Sequence, residues 1–370
     1  MRRVDLQNCT LVALNGAVVS LYDTSGTAPA EGVAVFACGS GTQVHAEQVT
    51  LTDGLLGVSV QGGAKFAGAR INVTGTQVAG LHACGTGSHL QVKRSHVYDP
   101  GTPRQGQGSA DGVLVSGGAV CSFEDMAVAH AEIGIEIRTR GRATLKNCRV
   151  HGCSGSSVVV EEAGVELFDC AMELSGGCGM VLKRGAEAEA HGCTFARSTL
   201  NAVYVQQGSE AVLRWCALEC SAVWSGLEVE GHGSVVECHS CLFLRNKHCG
   251  AFVHTGAQVD LSACESEGNG LSGYRVHGTN SCLRLDGCCA RDVIAYQTHH
   301  NGALECAACS PGGDIMAAAV LGDRRSSSTA GDAASGSDAG VSDGVVISKR
   351  QKRGLFRALV HAIDRKRPPR

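Results

Sequence analysis

The chain has 370 residues, of which 50 are glycine, 20 are cysteine and only 4% are aromatic. A hydrophobic fraction of 44% and a charged fraction of 18% exclude both a disordered chain and a coiled coil. The net charge of −3 divides unevenly, because residues 345–370 carry nine Lys or Arg side chains and one Asp, which leaves a net charge of −11 on the rest. The body of the chain is therefore not predicted to bind nucleic acid.

The first residues lack the apolar segment of a secretory signal, and no apolar run of 18 residues could span a membrane. We therefore expect a cytoplasmic or nuclear protein whose cysteines are mostly thiols. A repeat begins within the first ten residues without a preceding cap, which raises the alternative that the chain is a fragment.

A short unit recurs along the chain: a small residue, an apolar residue, any residue and a second apolar residue. The apolar positions alternate with period two, which predicts a β-strand. Most copies are 22–25 residues apart, and one longer gap of 32 residues contains the turn-rich segment 99–106, which predicts a projecting loop. An imperfect earlier copy spans 12–17. The small first residues are Gly32, Gly57, Gly80, Gly112, Gly134, Ser157, Gly179, Ala202, Gly226, Gly250, Gly273 and Ala295.

A second apolar pattern, such as Leu145-x-x-Cys148-x-Val150, follows each unit and predicts one further strand. We expect equivalent strands to stack in parallel about 4.8 Å apart, as about twelve coils in a cylinder about 58 Å long. The cysteine of this pattern recurs at one place in seven coils, which predicts an inward column of packed thiols. Disulfides between neighbours and a redox role are the alternatives. The column contains Cys148, Cys170, Cys193, Cys216, Cys241, Cys264 and Cys288.

The two patterns together resemble the right-handed parallel β-helix of the pectin-lyase-like superfamily over about residues 4–309. Its repeats resemble the carbohydrate-binding and sugar-hydrolase repeats, which occur in polysaccharide enzymes and in F-box-type ubiquitin-ligase adaptors. The resemblance implies an all-β fold, a single-stranded right-handed parallel β-helix of about twelve coils. It leaves the activity open, because a fold alone does not determine function.

Two Cys-x-x-Cys pairs, Cys238–Cys241 and Cys306–Cys309, raise the alternative of a zinc site. Cys238 falls in the leucine column of the second pattern and Cys241 in the cysteine column, so packing accounts for both. No second pair with finger-like spacing follows Cys309. We therefore predict neither a metal nor a cofactor.

Polysaccharide-cleaving β-helices use paired carboxylates, or a base together with calcium-binding acids. Of the motifs by which polygalacturonases resemble one another, the chain has only Gly231-His232-Gly233, at a position where other coils turn. The aspartates of the body are predicted to fall in different columns, so we assign no catalytic residue. These aspartates are Asp53, Asp99, Asp111, Asp125, Asp169, Asp260, Asp286 and Asp292.

Two columns of the first strand are predicted to face outward. Two residues after the small residue, apolar side chains form an exposed stripe, which is typical of a contact surface; cover by the 99–110 loop is the alternative. Four residues after it, charges alternate in sign and histidines follow, for which a solvated face is the alternative. The candidate binding residues are Leu114, Val159, Val181, Tyr204 and Phe252 in the first column and Arg138, Glu161, Lys183, His254 and His277 in the second.

Residues 310–344 lose the repeat and are predicted to be a low-complexity linker, in which 314–321 is a candidate cap. Residues 345–370 combine basic clusters with apolar residues at helical spacing. This pattern predicts a short basic amphipathic helix that contacts importin, an anionic membrane or an acidic partner.

We therefore predict a non-catalytic β-helix that binds a protein or glycan partner through an outward sheet face. A polysaccharide lyase or glycoside hydrolase is the alternative. A ubiquitin-ligase adaptor is a third interpretation, although no F-box-like helical segment precedes the repeats.

Overall fold

The computed structural model describes residues 4–7, 10–98, 110–311 and 319–320. The predicted linker and basic helix lie outside these residues, except for 310–311 and 319–320, and so does the 99–109 part of the projecting loop. Ala319–Val320, within the candidate cap, pair with Gln297 and Thr298 and so continue a sheet. The described residues form no helix that is long and apolar enough to cross a membrane.

All regular elements of the described residues are strands. In chain order they are β1 (Val4–Gln7), β2 (Leu11–Leu14), β3 (Val18–Thr27), β4 (Val33–Cys38), β5 (Gln43–Thr52), β6 (Leu56–Gln61), β7 (Lys65–Thr74), β8 (Ala79–Cys84), β9 (His89–Lys93), β10 (His96–Tyr98), β11 (Asp111–Ser116), β12 (Val120–Glu124), β13 (Ala127–Ala129), β14 (Ile135–Arg138), β15 (Arg142–Lys146), β16 (Arg149–His151), β17 (Val158–Glu161), β18 (Gly164–Phe168), β19 (Ala171–Glu173), β20 (Met180–Lys183), β21 (Glu187–His191), β22 (Thr194–Ala196), β23 (Val203–Val205), β24 (Glu210–Arg214), β25 (Ala217–Glu219), β26 (Leu227–Glu230), β27 (Val235–His239), β28 (Leu242–Leu244), β29 (Cys249–His254), β30 (Gln258–Ser262), β31 (Glu265–Glu267), β32 (Ser272–His277), β33 (Cys282–Asp286), β34 (Cys289–Arg291), β35 (Tyr296–His299), β36 (Ala303–Ala307), β37 (Ser310–Pro311) and β38 (Ala319–Val320).

The strands form two parallel sheets that wind around one apolar interior, which confirms the predicted all-β coil of about twelve turns. Sheet 1 has 14 strands and contains the small-apolar-x-apolar unit of every coil. Sheet 2 has 24 strands. The order of strands in sheet 1 is β2, β4, β6, β8, β11, β14, β17, β20, β23, β26, β29, β32, β35 and β38.

The second pattern forms two strands rather than the one predicted. In the coil of Cys148, β15 ends at Lys146 and β16 starts at Arg149, with Asn147 between them at a φ of 51°. This left-handed backbone turns the chain by a corner and aims the next residue, Cys148, into the interior. In the first coils the two strands are fused into the ten-residue β3, β5 and β7.

The cysteine column lines the interior at this corner, as predicted, and all seven of its members are buried. Each thiol lies close to backbone carbonyls: Cys216 Sγ is 3.3 Å from the carbonyl oxygen of Arg214 and 3.4 Å from that of Ala190. Cys309 makes the same pair of contacts and adds an eighth member, which the sequence analysis missed. Cys238 pairs in register with Leu213 and Leu261, so it does belong to the leucine column.

In several coils the first residue of the unit is glycine because the backbone passes very close to the next coil there. A Cβ on Gly57 would lie 2.4 Å from Val73 Cγ1 and 2.5 Å from the carbonyl oxygen of Gly80. Gly112 and Gly134 have equally close neighbours. A larger side chain at this position would therefore push adjacent coils apart.

We expect Cys216→Ser to cost less than about 1 kcal/mol of unfolding free energy, because a hydroxyl can donate to the same carbonyls. In an earlier coil, Ser95 occupies the position of the column cysteine, directly after the corner residue. Its hydroxyl donates to the carbonyl oxygen of Lys93 at 2.7 Å. Cys216→Leu should cost about 1–3 kcal/mol by overpacking the narrow interior. Urea unfolding of both variants measures the difference. Equal losses would contradict the packing role of the thiol.

Candidate functional site on the outward face of sheet 1

The strand alternation of sheet 1 places two columns of side chains on its outer face. From the coil of Gly57 onward, the first column occupies the third position of the unit and the second column the fifth, as the sequence analysis predicted. The register of the Gly32 unit is shifted by two residues, so Phe36 at its fifth position joins the first column. The registers align the first column as Phe36, Ser59, His82, Leu114, Glu136, Val159, Val181, Tyr204, Glu228, Phe252, Arg275 and Gln297. In the second column they align Arg138, Glu161 and Lys183, and further along Glu230, His254, His277 and His299.

The predicted stripe of exposed apolar residues is wrong at two of its five positions. Leu114 and Val159 are each only 7% exposed, whereas Val181, Tyr204 and Phe252 are half-buried. Both buried residues flank Glu136 in the first column, which is itself 9% exposed. Side chains stacked about 4.8 Å apart along a column cover one another, so an outward direction does not by itself give exposure.

One step of the predicted charge ladder, between Glu161 and Lys183, forms an ion pair between neighbouring coils. Lys183 Nζ lies 2.9 Å from Glu161 Oε2, and Arg184 pairs with the other oxygen of the same carboxylate. The hydrogen bond from Lys183, helped by the charge of Arg184, holds the pKa of Glu161 below its ordinary value. Arg138 Nη1 lies 3.6 Å from Glu136 Oε2, which belongs to the same strand, β14. These pairs are partly exposed, so they contribute little to stability.

Further along the face, four side chains from three coils form a half-buried polar cluster. His254 Nε2 lies 3.2 Å from Glu228 Oε1 and 3.7 Å from Glu230 Oε2. The Tyr204 hydroxyl donates to Glu230, and burial together with this carboxylate raises the pKa of Tyr204. His254 Nδ1 is 2.8 Å from Thr255 Oγ1, so both ring nitrogens of His254 face protein partners.

An aromatic group joins this cluster on the next coils. The Phe252 ring lies 4.6 Å from that of His254, and the guanidinium of Arg275 lies 5.1 Å from the Phe252 centroid, in cation–π contact. Within the described part of the chain Arg275 has no carboxylate partner within salt-bridge distance. Among the described residues this half-buried guanidinium has no carboxylate as a counter-charge, and its side-chain contacts include the Phe252 ring and the Cys249 thiol.

Trp224 and His248 extend the aromatic group onto the loops beside sheet 1, and the sequence analysis missed both. The rings of Trp224 and His248 are 5.8 Å apart, and those of His248 and Phe252 are 5.7 Å apart. Their spacing in the sequence could have indicated this position. Trp224 stands two residues before Gly226, and His248 stands two residues before Gly250, where each glycine is the small first residue of the next unit. Trp224 is 44% exposed, so its ring remains available to a ligand.

The histidine part of the second column is less well suited to a metal than its composition suggests. The ring of His277 lies 4.6 Å from that of His300 and 6.4 Å from that of His299. Among the residues that the structure describes, no group of three or more His, Cys, Asp or Glu side chains has a geometry that could hold a metal ion.

The aspartates are arranged differently from the prediction. Asp125 and Asp169 share one column, two coils apart, because both occupy the left-handed corner position that Asn147 fills in the coil between them. Asn147 separates them and donates to Asp125, so they do not form an adjacent acidic pair. Burial raises the pKa of Asp292, but this carboxylate is 1% exposed and accepts hydrogen bonds from Ser266 and Asn269 inside the coil.

The Gly231-His232-Gly233 motif lies between β26 and β27, at the predicted corner. Gly231 and Gly233 have φ values of 88° and 80°, which favour glycine for conformational reasons. The motif therefore serves the turn between the two sheets.

Comparison with known proteins agrees with this geometry. The family model described as "Right handed beta helix region" matches residues 79–219 and 133–290, which is more than half of the chain. The chain belongs to the right-handed β-helix family. Its fold is the pectin-lyase-like parallel β-helix that the sequence resembled. No curated protein sequence matches the chain significantly.

Two solved structures similar to this β-helix are A-modules of mannuronan C-5 epimerases from Azotobacter vinelandii. The AlgE6 module is 14% identical with a TM-score of 0.52, and the AlgE4 module is 11% identical with a TM-score of 0.50. Each alignment covers 80% of this chain and 91% of the epimerase module. At this identity the similarity shows a common fold and no common activity.

The histidines of this face predict a pH dependence of stability. Burial, helped by nearby cations, lowers the pKa of His82, His248 and His277 in the folded chain. A lowered pKa means that the unfolded chain binds protons more readily, so stability is fully present above the unfolded value of about 6.5 and is lost as pH falls through the folded values. Thermal unfolding midpoints should fall between pH 7 and pH 5 by a few degrees.

Replacing all three histidines with Gln should reduce this fall, whereas His89→Gln, at an exposed position on sheet 2, should leave it unchanged. An equal fall in the triple variant and the parent would contradict the assignment.

Proposed function

We propose that the right-handed β-helix is a non-catalytic module that binds an extended glycan chain along the outward face of sheet 1. The observation that carries the proposal is the group formed by Trp224, Phe252 and Arg275. Aromatic rings offer flat apolar surfaces for sugar rings, and a guanidinium without a counter-charge offers two donors to a sugar carboxylate. The group therefore favours a glycan that contains acidic sugars.

The polar cluster beside this group supports binding because its side chains are already held in place. Glu228 and Glu230 are fixed by His254 and Tyr204, so they lose little conformational freedom when a ligand hydrogen-bonds to them. Columns that run across the coils also present equivalent positions about 4.8 Å apart, which suits a ligand that is itself extended. The mannuronan C-5 epimerase module has a fold of the same kind, and the enzyme acts on a polysaccharide, as its name states.

We expect Phe252→Ala and Arg275→Ala each to weaken binding of alginate or polygalacturonate by about tenfold or more, because each removes one element of the contact group. Affinity gel electrophoresis with the dissolved polysaccharide measures the change. Arg149→Ala is the matched control, since Arg149 lies on sheet 2 and pairs with Glu173. Binding that is absent in the parent, or weakened equally by Arg149→Ala, would overturn the proposal.

A second candidate function is a polysaccharide lyase or glycoside hydrolase, and the cluster around His254 favours it. An imidazole between two carboxylates and beside a phenol can transfer protons. Against this role, both ring nitrogens of His254 face protein partners, so neither is directed at a substrate.

The two functions are separated by a cleavage assay on alginate and polygalacturonate, followed by reducing ends and by ultraviolet absorbance of unsaturated products. The binding proposal predicts no turnover by the parent chain. Turnover that His254→Ala abolishes, and Arg149→Ala does not, would establish the enzyme instead.

A further inference from the structure

A second surface lies on the outward face of sheet 2, where the sequence analysis assigned no role. The strands β12, β15, β18, β21 and β24 form the floor of an open groove of about 330 Å³. Gly164 contributes no side chain, and Arg142 lies across it, since a Cβ there would be 3.1 Å from Arg142 Nη1. Arg142 Nη2 reaches to 3.6 Å from Glu187 Oε2 on the second coil along. The groove thus already holds one guanidinium beside a carboxylate.

The lining of the groove carries four carboxylates and one cation. The registers pair Glu166 with Glu189 and Glu187 with Glu210, so like charges stand on neighbouring strands and repel each other. Among the described residues no Lys or Arg lies within 4 Å of Glu166, Glu189 or Glu210. Glu166 accepts a hydrogen bond from Thr144 at 3.4 Å, and Glu189 lies 3.7 Å from His191 Nε2. These contacts leave the repulsion between the paired carboxylates in place, and a cationic ligand would relieve it.

A row of aromatic side chains borders the groove. The rings of Phe168 and His191 are stacked 5.3 Å apart with an interplanar angle of 13°, and Trp215 follows at 6.3 Å from His191. The ammonium of Lys146 lies 5.6 Å from the Phe168 centroid. One end of the row is therefore in contact with a cation, and the other end, Trp215, is 51% exposed.

Trp215 stands at a position that the corner geometry does not favour for an aromatic residue. Its φ is +53°, in the left-handed region that Gly, Asn and Asp adopt most readily. Gln48, Arg70 and Arg94 fill the same corner in the first coils, so a long side chain is tolerated there. The equivalent corner residues of the coils near Trp215 are small or are Asn or Asp. These residues are Asn147, Asp169, Gly192, Ser240, Ala263 and Gly287.

We propose that this groove and its aromatic row dock a Lys- and Arg-rich segment of a partner protein. Basic side chains pair with Glu187, Glu189 and Glu210, and one of them stacks on the Trp215 indole. The charge of the lining selects against nucleic acids and acidic glycans, so this surface differs in chemistry from the outward face of sheet 1. The proposal does not depend on the function proposed for sheet 1.

The test is calorimetric titration of the full chain with an oligoarginine peptide, and with an oligoserine peptide of the same length. We expect saturable binding of the arginine peptide that weakens as salt is raised, and no binding of the serine peptide. The variant Glu187→Gln/Glu189→Gln/Glu210→Gln should weaken binding by about tenfold or more, and Trp215→Ala should weaken it severalfold.

The matched control is Asp53→Asn/Glu132→Gln/Glu267→Gln, which removes the same charge from exposed positions outside the groove. An equal loss of affinity in this control, or unchanged binding by both the groove variant and Trp215→Ala, would overturn the proposal. A gain in affinity on removal of residues 345–370 would assign the groove to the basic segment of this chain and overturn the assignment to a partner. If Arg275→Ala leaves the affinity for the arginine peptide unchanged, the peptide does not bind at the Arg275 group on sheet 1.

Discussion

The structure depends on one constraint, which is that each coil stacks in parallel on the one before it with equivalent residues in register. Parallel pairing satisfies the backbone of every strand only if successive coils keep the same path. The path is kept by the left-handed corner residue, by the thiol that follows it and contacts two carbonyls, and by the small residue where the backbones pass closest. These positions hold eight of the 20 cysteines and part of the 50 glycines of the chain.

Stacking in register also decides what the surface can do. Equivalent positions of successive coils stack into a column of side chains. Where the residue type in a column changes along the axis of the coil, the surface differs locally from the rest and is a candidate binding site. On sheet 1 the outward columns change from ion pairs around Glu161 to a group of aromatic residues around Phe252 with an unpaired guanidinium. On sheet 2 they collect carboxylates around Glu187, and the aromatic row from Phe168 through His191 ends at the exposed ring of Trp215. In the two proposals, the same solenoid binds an acidic glycan on one face and a basic protein segment on the other.

The repeat period, the thiol column and the two outward columns could be predicted from the sequence, because each depends only on spacing. The corner at Asn147 could not, since its left-handed position is filled by residues as different as Asp169, Trp215 and Ala263. The burial of Leu114 and Val159 was missed because it depends on side chains from neighbouring coils. The same reason hid the groove on sheet 2 and the contact between Trp224 and His248, which join residues far apart in sequence.

The most direct test of the account is hydroxyl-radical footprinting of the full chain with and without polygalacturonate. If the outward face of sheet 1 is the glycan-binding surface, oxidation of Trp224 and Phe252 should decrease on binding, while Trp215 and Phe168 on sheet 2 should be oxidised as before. Protection of Trp215 and Phe168 with no change at Trp224 and Phe252 would contradict the account.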